Sequence, residues 1–299
     1  MKIKGLFLSF IILVFSALLY FSCSTYGLED IEQYINANKN TVDDRYEDSV
    51  SGNTKMLQLP PVKNPQHFSF LWCTDMHIRV DRRDYLDKLG GFARRADASF
   101  IIHTGDLADH GLEEEFDHFL VEANKKLSIP FYSALGNHDL YGDGWDTFKE
   151  KMGPSVTAFD FANSRFIFID TASCDVGKEQ MEWIEDELED ARSRSEIKHI
   201  FMFSHMCLYD DTLETPTIIC DPDERYQLIS MLDKYDVDFF LCGHKHSAEK
   251  YYLNGTWHIQ AGTASTYKKP INDHSQFYYF QIDGDNVYFE KKYFDDIDY

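Results

Sequence analysis

From residue 67 onward the chain repeats one texture: a short, nearly continuous apolar run, then a polar stretch of helical length. The runs are 68–73 (FSFLWC), 99–103 (SFIIH), 130–135 (PFYSAL), 165–169 (RFIFI), 199–203 (HIFMF) and 237–242 (VDFFLC). Patterned polar stretches at 82–96, 112–127, 178–194 and 223–235 separate most of them. Strands that lack polar alternation must be buried on both faces, and intervening helices supply that cover. The chain is thereby held to an α/β fold. Two later segments, 248–260 and 276–291, read as strand pairs turned at Asn254-Gly255 and Asp283-Gly284.

The ends of these runs carry an unusual set of side chains. They finish in Thr74-Asp75-Met76-His77, in Thr104-Gly105-Asp106-Leu107-Ala108-Asp109-His110, in Gly136-Asn137-His138-Asp139, in Ser204-His205, and in Gly243-His244-Lys245-His246. Ligands collect at the carboxyl ends of strands in open α/β sheets. A single Asp there is ordinarily a cap, and a single Gly-Asn a turn. Five such clusters, each after a buried strand, are not explained by turn chemistry. Imidazole and carboxylate together suit borderline divalent metals.

In order, these clusters spell D-x-H, G-D, G-N-H-[DE], H and G-H-x-H, and over roughly residues 67–265 the sequence resembles the calcineurin-like metallophosphoesterase superfamily. The resemblance implies a four-layer αββα sandwich of two mixed β-sheets flanked by helices. It implies two metal ions, Mn, Fe or Zn. Asp75, His77 and His246 would hold one, Asn137, His205 and His244 the other, and Asp106 would bridge them. The implied activity is hydrolysis of a phosphomonoester or phosphodiester by a dimetal-activated hydroxide. His138 would stabilise the transition state or protonate the leaving oxygen, with Asp109 orienting it. Protein-phosphatase relatives carry Arg where this chain has His110, and purple acid phosphatases carry a metal-binding Tyr where it has Asp109. Gly105 to Asp109 is closer in wording to bacterial phosphodiesterase-like members. The alternative, a non-catalytic exported binding module that keeps the fold, is opposed by a complete ligand set.

Charge bears directly on this reading. With 29 Lys and Arg against 51 Asp and Glu, the chain carries a formal −22. Extended polyanions are poor partners for such a surface, so no nucleic acid duplex is expected. A small phosphoester is different: two divalent ions outweigh Asp75, Asp106 and a bridging hydroxide and leave the centre locally positive.

Other residues are expected to be structural. His67, His103, His199 and His258 read as packed or hydrogen-bonded, and Glu113–Glu115 as a solvated helix face. Tyr209 and Trp145 fall in stretches read as loops flanking the site. The stretch 207–222 reads as an insertion, with Cys207 and Cys220 near its ends positioned for a disulfide. Cys73 and Cys242 read as buried small apolar residues.

The N-terminus is a separate object. Lys2 and Lys4 precede an uncharged stretch, Gly5 to Ser22, which reads as an export signal or a membrane anchor. Leu19-Tyr20-Phe21-Ser22-Cys23 resembles a bacterial lipobox, although Tyr20 stands where Leu is usual. The expectation is an exported lipoprotein, anchored in the membrane and facing the periplasm or the cell exterior; an uncleaved helix anchor and an ordinary cleaved signal are the alternatives. The domains expected are 1–22 for signal or anchor, 23–66 for a tether or N-terminal arm, and 67–299 for the catalytic domain. Oligomeric state is left open.

Overall fold

A computed structural model describes residues 40–209, 217–268 and 270–297. The segment expected to direct export, Cys23 and the rest of the expected arm before residue 40 lie outside the described residues. Among those described, no helix is long and apolar enough to cross a membrane.

The apolar runs form β1 (His67–Cys73), β2 (Ile101–Thr104), β3 (Phe131–Ala134), β5 (Ser164–Phe168), β6 (His199–Phe203) and β7 (Phe239–Cys242), with β4 (Thr157–Phe161) paired antiparallel to β5. β8 (Glu249–Leu253) and β9 (Thr256–Gln260) form one hairpin, β10 (Gln276–Asp283) and β11 (Asn286–Tyr293) the other. The first turns at Asn254-Gly255, both at positive φ. The second turns at Gly284-Asp285, one residue later than the sequence suggested, because Asp283 pairs with Asn286 inside the ladder. Two mixed sheets result, in the orders β11-β10-β1-β2-β3 and β4-β5-β6-β7-β9-β8.

Side chains alternate across each strand, so each sheet has two buried faces. Leu71, Cys73 and Ile101 pack outward under α2 (Leu86–Arg95), α3 (Glu113–Lys126) and α4 (Gly144–Lys151). Ile167, Ile200, Met202 and Phe240 pack outward under α5 (Lys178–Ser193) and α6 (Pro222–Lys234). Between the sheets lies an aromatic layer in which Phe70 stacks on Phe280 at 4.8 Å and Phe201 on Phe239 at 5.1 Å. This is the expected αββα sandwich, and it accounts for much of the chain's aromatic content.

Part of the segment read as tether is docked. Thr41 and Asp44 form a capping box that starts α1 (Val42–Val50). Arg45, on α1, is fully buried and grips Asp170 through two bonds of 2.7 and 3.0 Å. Further on, Lys55 and Gln58 bond to Lys149 and Tyr132.

The cysteines settle a pairing the sequence left open, and Cys242, read as a small buried apolar residue, takes part in it. Cys207 is joined to Cys242 and Cys220 to Cys174; Cys73 is free and buried. The reason is topological. β6 and β7 are neighbours, which sets Cys207 beside Cys242, and the chain returns so that the Cys220 N–H donates to the Cys174 carbonyl at 2.6 Å. Trp145 is a core residue of α4 whose Nε1 donates to Asp48, and it flanks no site. Glu115 is buried as well: its carboxylate accepts from the backbone N–H of His110 at 2.8 Å and of Leu112 at 3.3 Å.

Candidate metal centre

The parallel strands of both sheets end on one side of the sandwich, and all seven expected ligands meet there. Asp75 and His77 follow β1, Asp106 follows β2, Asn137 follows β3, His205 follows β6, and His244 and His246 follow β7. Asp75, His77, Asp106 and His246 form one group of converging donor atoms; Asp106, His205 and His244 form a second, and His77, Asp109 and His138 a third beside the first. In the first, His246 Nε2 lies 2.9 Å from His77 Nε2 and 3.2 Å from Asp75 Oδ1. In the second, His205 Nε2 lies 2.9 Å from Asn137 Oδ1, 3.2 Å from His244 Nδ1 and 3.4 Å from Asp106 Oδ1. Asp106 belongs to both, as its expected bridging position requires.

The donor chemistry fits a cation. His205 Nδ1 lies 2.9 Å from the Thr104 carbonyl oxygen, which can only accept, so Nδ1 carries the hydrogen and Nε2 of the neutral ring is an acceptor. That bare nitrogen faces the Asn137 and Asp106 oxygens. Asp75 Oδ1 is likewise buried without a hydrogen bond. Converging acceptors repel unless a proton or a metal ion lies between them, and the donor set suits a metal.

Close packing at the strand ends makes the convergence possible. A Cβ on Gly136 would strike the Asp106 backbone and carboxylate, and one on Gly243 would strike Thr74 and Asp75. The Thr74 hydroxyl donates to Asp75 Oδ2 at 2.6 Å, and the His244 backbone N–H donates to the same oxygen at 3.0 Å. Burial pushes the imidazoles of His77 and His244 down to about 4, so both are neutral, as ligands must be. Burial works against the charges of Asp75 and Asp106, yet both carboxyls lie below their usual range; at Asp75 the chief cause is His246, whose imidazole Asp75 in turn pulls above its ordinary value.

His138 stands at the rim, partly exposed. Its backbone N–H donates to Asp106 Oδ1 at 2.8 Å, and its Nδ1 donates to the Asp109 carbonyl at 2.7 Å. Asp109 therefore meets His138 through its main chain. Its carboxylate turns elsewhere, with Oδ1 3.1 Å from His77 Nδ1 and 3.4 Å from Lys268 Nζ, and Oδ2 3.4 Å from Arg79. Burial opposes its charge, yet His77 and Lys268 hold the carboxyl well below the ordinary value.

Several supporting residues escaped the sequence reading. Arg79, Tyr267 and Lys268 lie beside the site, and the Tyr267 hydroxyl donates to the His77 carbonyl at 2.8 Å. Thr263 donates to the Asp75 carbonyl at 2.6 Å. Asp139 joins two ligand-bearing loops by accepting from the N–H groups of Ala108 at 2.8 Å and Gly136 at 2.9 Å. Burial, reinforced by Asp106, pushes its carboxyl up to about 7. The small residues Ala261-Gly262-Thr263-Ala264-Ser265, which lie just before Tyr267 in the chain, are the sequence signal on this side of the site. His103 is packed in its sheet as expected, with Nδ1 2.9 Å from Ser133 Oγ.

A sandwich with two donor clusters sharing one aspartate defines a dimetal protein of the phosphoesterase type. The chain belongs to the calcineurin-like phosphoesterase family, whose model matches residues 68–248, more than half of the sequence. That family is dimetal-dependent, and the two donor groups are candidates for its ions. Over 158 residues the chain is 29% identical to a curated Arcobacter nitrofigilis protein described as "Probable glycerophosphodiester phosphodiesterase GpdQ", covering 49% of this chain and 56% of that protein. The match thus spans little more than half of that relative's length.

Similar solved structures include the Plasmodium inner-membrane-complex anchor GAP50, with TM-score 0.62 and 15% identity over 78% of this chain and 86% of that one. The purple acid phosphatase PPD1 of yellow lupin gives 0.62 and 18% over 80% and 54%. A dimetal phosphatase of Danio rerio gives 0.58 and 15% over 79% and 97%. At these identities the likeness concerns the fold.

Proposed function

We propose that the protein is an exported, lipid-anchored phosphoesterase that hydrolyses small phosphodiesters at a two-ion centre held by Asp75, His77, His246, Asn137, His205, His244 and the shared Asp106. The observation that carries this reading is the convergence of all seven donors in two groups joined by Asp106. No ligand is missing, so the non-catalytic alternative is not favoured. Bound there, two divalent ions (Mn, Fe or Zn) supply Lewis acidity to a phosphoryl group and acidify water.

The chain's own residues do the rest. Because His138 Nδ1 donates to the Asp109 carbonyl, Nε2 is the atom left to hold or deliver a proton, and it sits 4.0 Å from Asp106 Oδ2. In the doubly protonated ring Nε2 carries the second proton; giving it to the departing alkoxide completes ester cleavage and leaves the neutral ring with its Nδ1–H on the Asp109 carbonyl. Arg79 and Lys268, about a third exposed beside Asp109, supply positive charge at the margin of an otherwise acidic molecule. That local reversal admits an anionic substrate. Preference for a diester is supported by the description of the curated relative. Two disulfides among the described residues support an oxidising compartment, consistent with export through residues 1–22 and lipidation at Cys23.

The test is hydrolysis of bis-aryl phosphodiesters and aryl phosphomonoesters by purified protein supplied with Mn²⁺, Zn²⁺ or Fe²⁺. Asp106→Asn should lose both metal uptake and turnover. His138→Ala should keep its metal and lose about 10²–10⁴-fold in kcat. Undiminished hydrolysis by Asp106→Asn would overturn the proposal.

A further inference from the structure

The group formed by Asn137, His205 and His244 depends on two loops leaving adjacent strands. Parallel pairing of β6 with β7 ends at Phe203 and Leu241. Beyond it, two further backbone bonds of 3.0 Å join the loops among the described residues, Ser204 N–H to the Leu241 carbonyl and Gly243 N–H to the His205 carbonyl. His205 and His244 sit where this backbone pairing runs out, and His244 is held at φ 71°. The β6 loop also runs directly into the stretch 207–222.

One covalent link bridges the gap. Cys207 lies two residues after His205 and Cys242 two residues before His244, and the two are disulfide-bonded with their Cα atoms 5.4 Å apart. Both residues are buried. The other disulfide, Cys174–Cys220, has a different place: it secures the far end of the insertion to the segment after β5, and reaches the His205 loop through backbone pairing alone, Ile219 N–H to the Cys207 carbonyl at 3.0 Å.

We propose that the Cys207–Cys242 disulfide is a positioning device for one metal site, fixing the separation of His205 and His244 before an ion arrives. This rests on reading those residues as ligands. With the link closed, the 3.2 Å approach of His205 Nε2 to His244 Nδ1 exists in advance, so binding does not have to order the two loops. With the link absent, the Asn137–His205–His244 site should weaken. The Asp75–His77–His246 site depends on the β7 loop alone for one ligand and should be spared.

The experiment compares wild type, Cys207→Ala/Cys242→Ala and Cys174→Ala/Cys220→Ala by Zn²⁺ titration calorimetry and by metal content after dialysis. Wild type should bind two ions. The Cys207→Ala/Cys242→Ala protein should keep one and bind the other about 10–100-fold more weakly. The Cys174→Ala/Cys220→Ala protein should keep both ions while melting at a lower temperature. Wild-type affinity for both ions in Cys207→Ala/Cys242→Ala, or equal loss of an ion from both double variants, would overturn the proposal. Wild type that binds no ion would overturn the dimetal reading itself, and this one with it.

If Cys207→Ala/Cys242→Ala does not fold, the same bond can be opened in folded Cys174→Ala/Cys220→Ala protein with a trialkylphosphine. The phosphine gives two electrons to the S–S bond, and water supplies the two thiol protons and the oxygen of the phosphine oxide. Alkylating the thiols then keeps sulfur out of the site. The same selective loss must follow; two tightly bound ions after opening would overturn the proposal.

Discussion

Asp75, His77, Asp106, His244 and His246 all hold a left-handed backbone, with φ between 48° and 71°. A side chain in that region costs on the order of 1 kcal/mol or more, and such residues gather where a surrounding structure forces them. Here the sharp reversal after each strand bends the ligand back over the sheet end, which an extended continuation could not do. The motif spacing disclosed which residues would meet, because order and chemistry suffice for that. It did not disclose which atom of each would do the meeting. Asp109 was expected to orient His138, yet its carboxylate faces His77 Nδ1, and only its carbonyl reaches His138. Asp109→Asn should therefore lower metal affinity at the Asp75–His77–His246 group by about 10–100-fold, measured by calorimetry. Unchanged affinity would remove that role from Asp109.

The buried strands and long helices were legible because continuous apolar runs and helical periodicity are large signals. Shorter elements were not. α1 has nine residues, only Val42 and Arg45 of them buried, and so offers no apolar stripe; its capping box was the one local clue. β4 was passed over because it is half-buried for most of its length. α4 is only eight residues long, too short for periodicity to declare itself, which left Trp145 assigned to a loop. Docking of α1 rests on the Arg45–Asp170 pair, whose side chains are both fully buried. Arg45→Ala leaves Asp170 charged and unpaired, and should cost about 3–5 kcal/mol in urea unfolding. Arg45→Met/Asp170→Leu should recover part of that loss. A cost below 1 kcal/mol for Arg45→Ala, about that of a surface pair, would show that the arm is not held by this contact.

At the scale of the whole molecule, a net charge of −22 coexists with a site built for anions because the compensation is local, in Arg79, Lys268 and the ions the donor groups suit. The proposed membrane attachment belongs to this scale too. Replacing Cys23 with Ala should move the protein from the membrane fraction to the soluble one in cell fractionation; retention in the membrane would point to an uncleaved helix instead. The cysteine pairing could not be read from the sequence, since it depends on which strands become neighbours. The two sheets contribute unequally to the centre: Asp75, His77, Asp106 and Asn137 ride on one, His205, His244 and His246 on the other. Each ion bound between them would act as a fastener across the halves of the sandwich. Binding energy at the site would then become rigidity everywhere, with a melting temperature that follows the free metal concentration. The loaded enzyme and the stiff molecule would be the same species, and a chelator would behave as a mild denaturant.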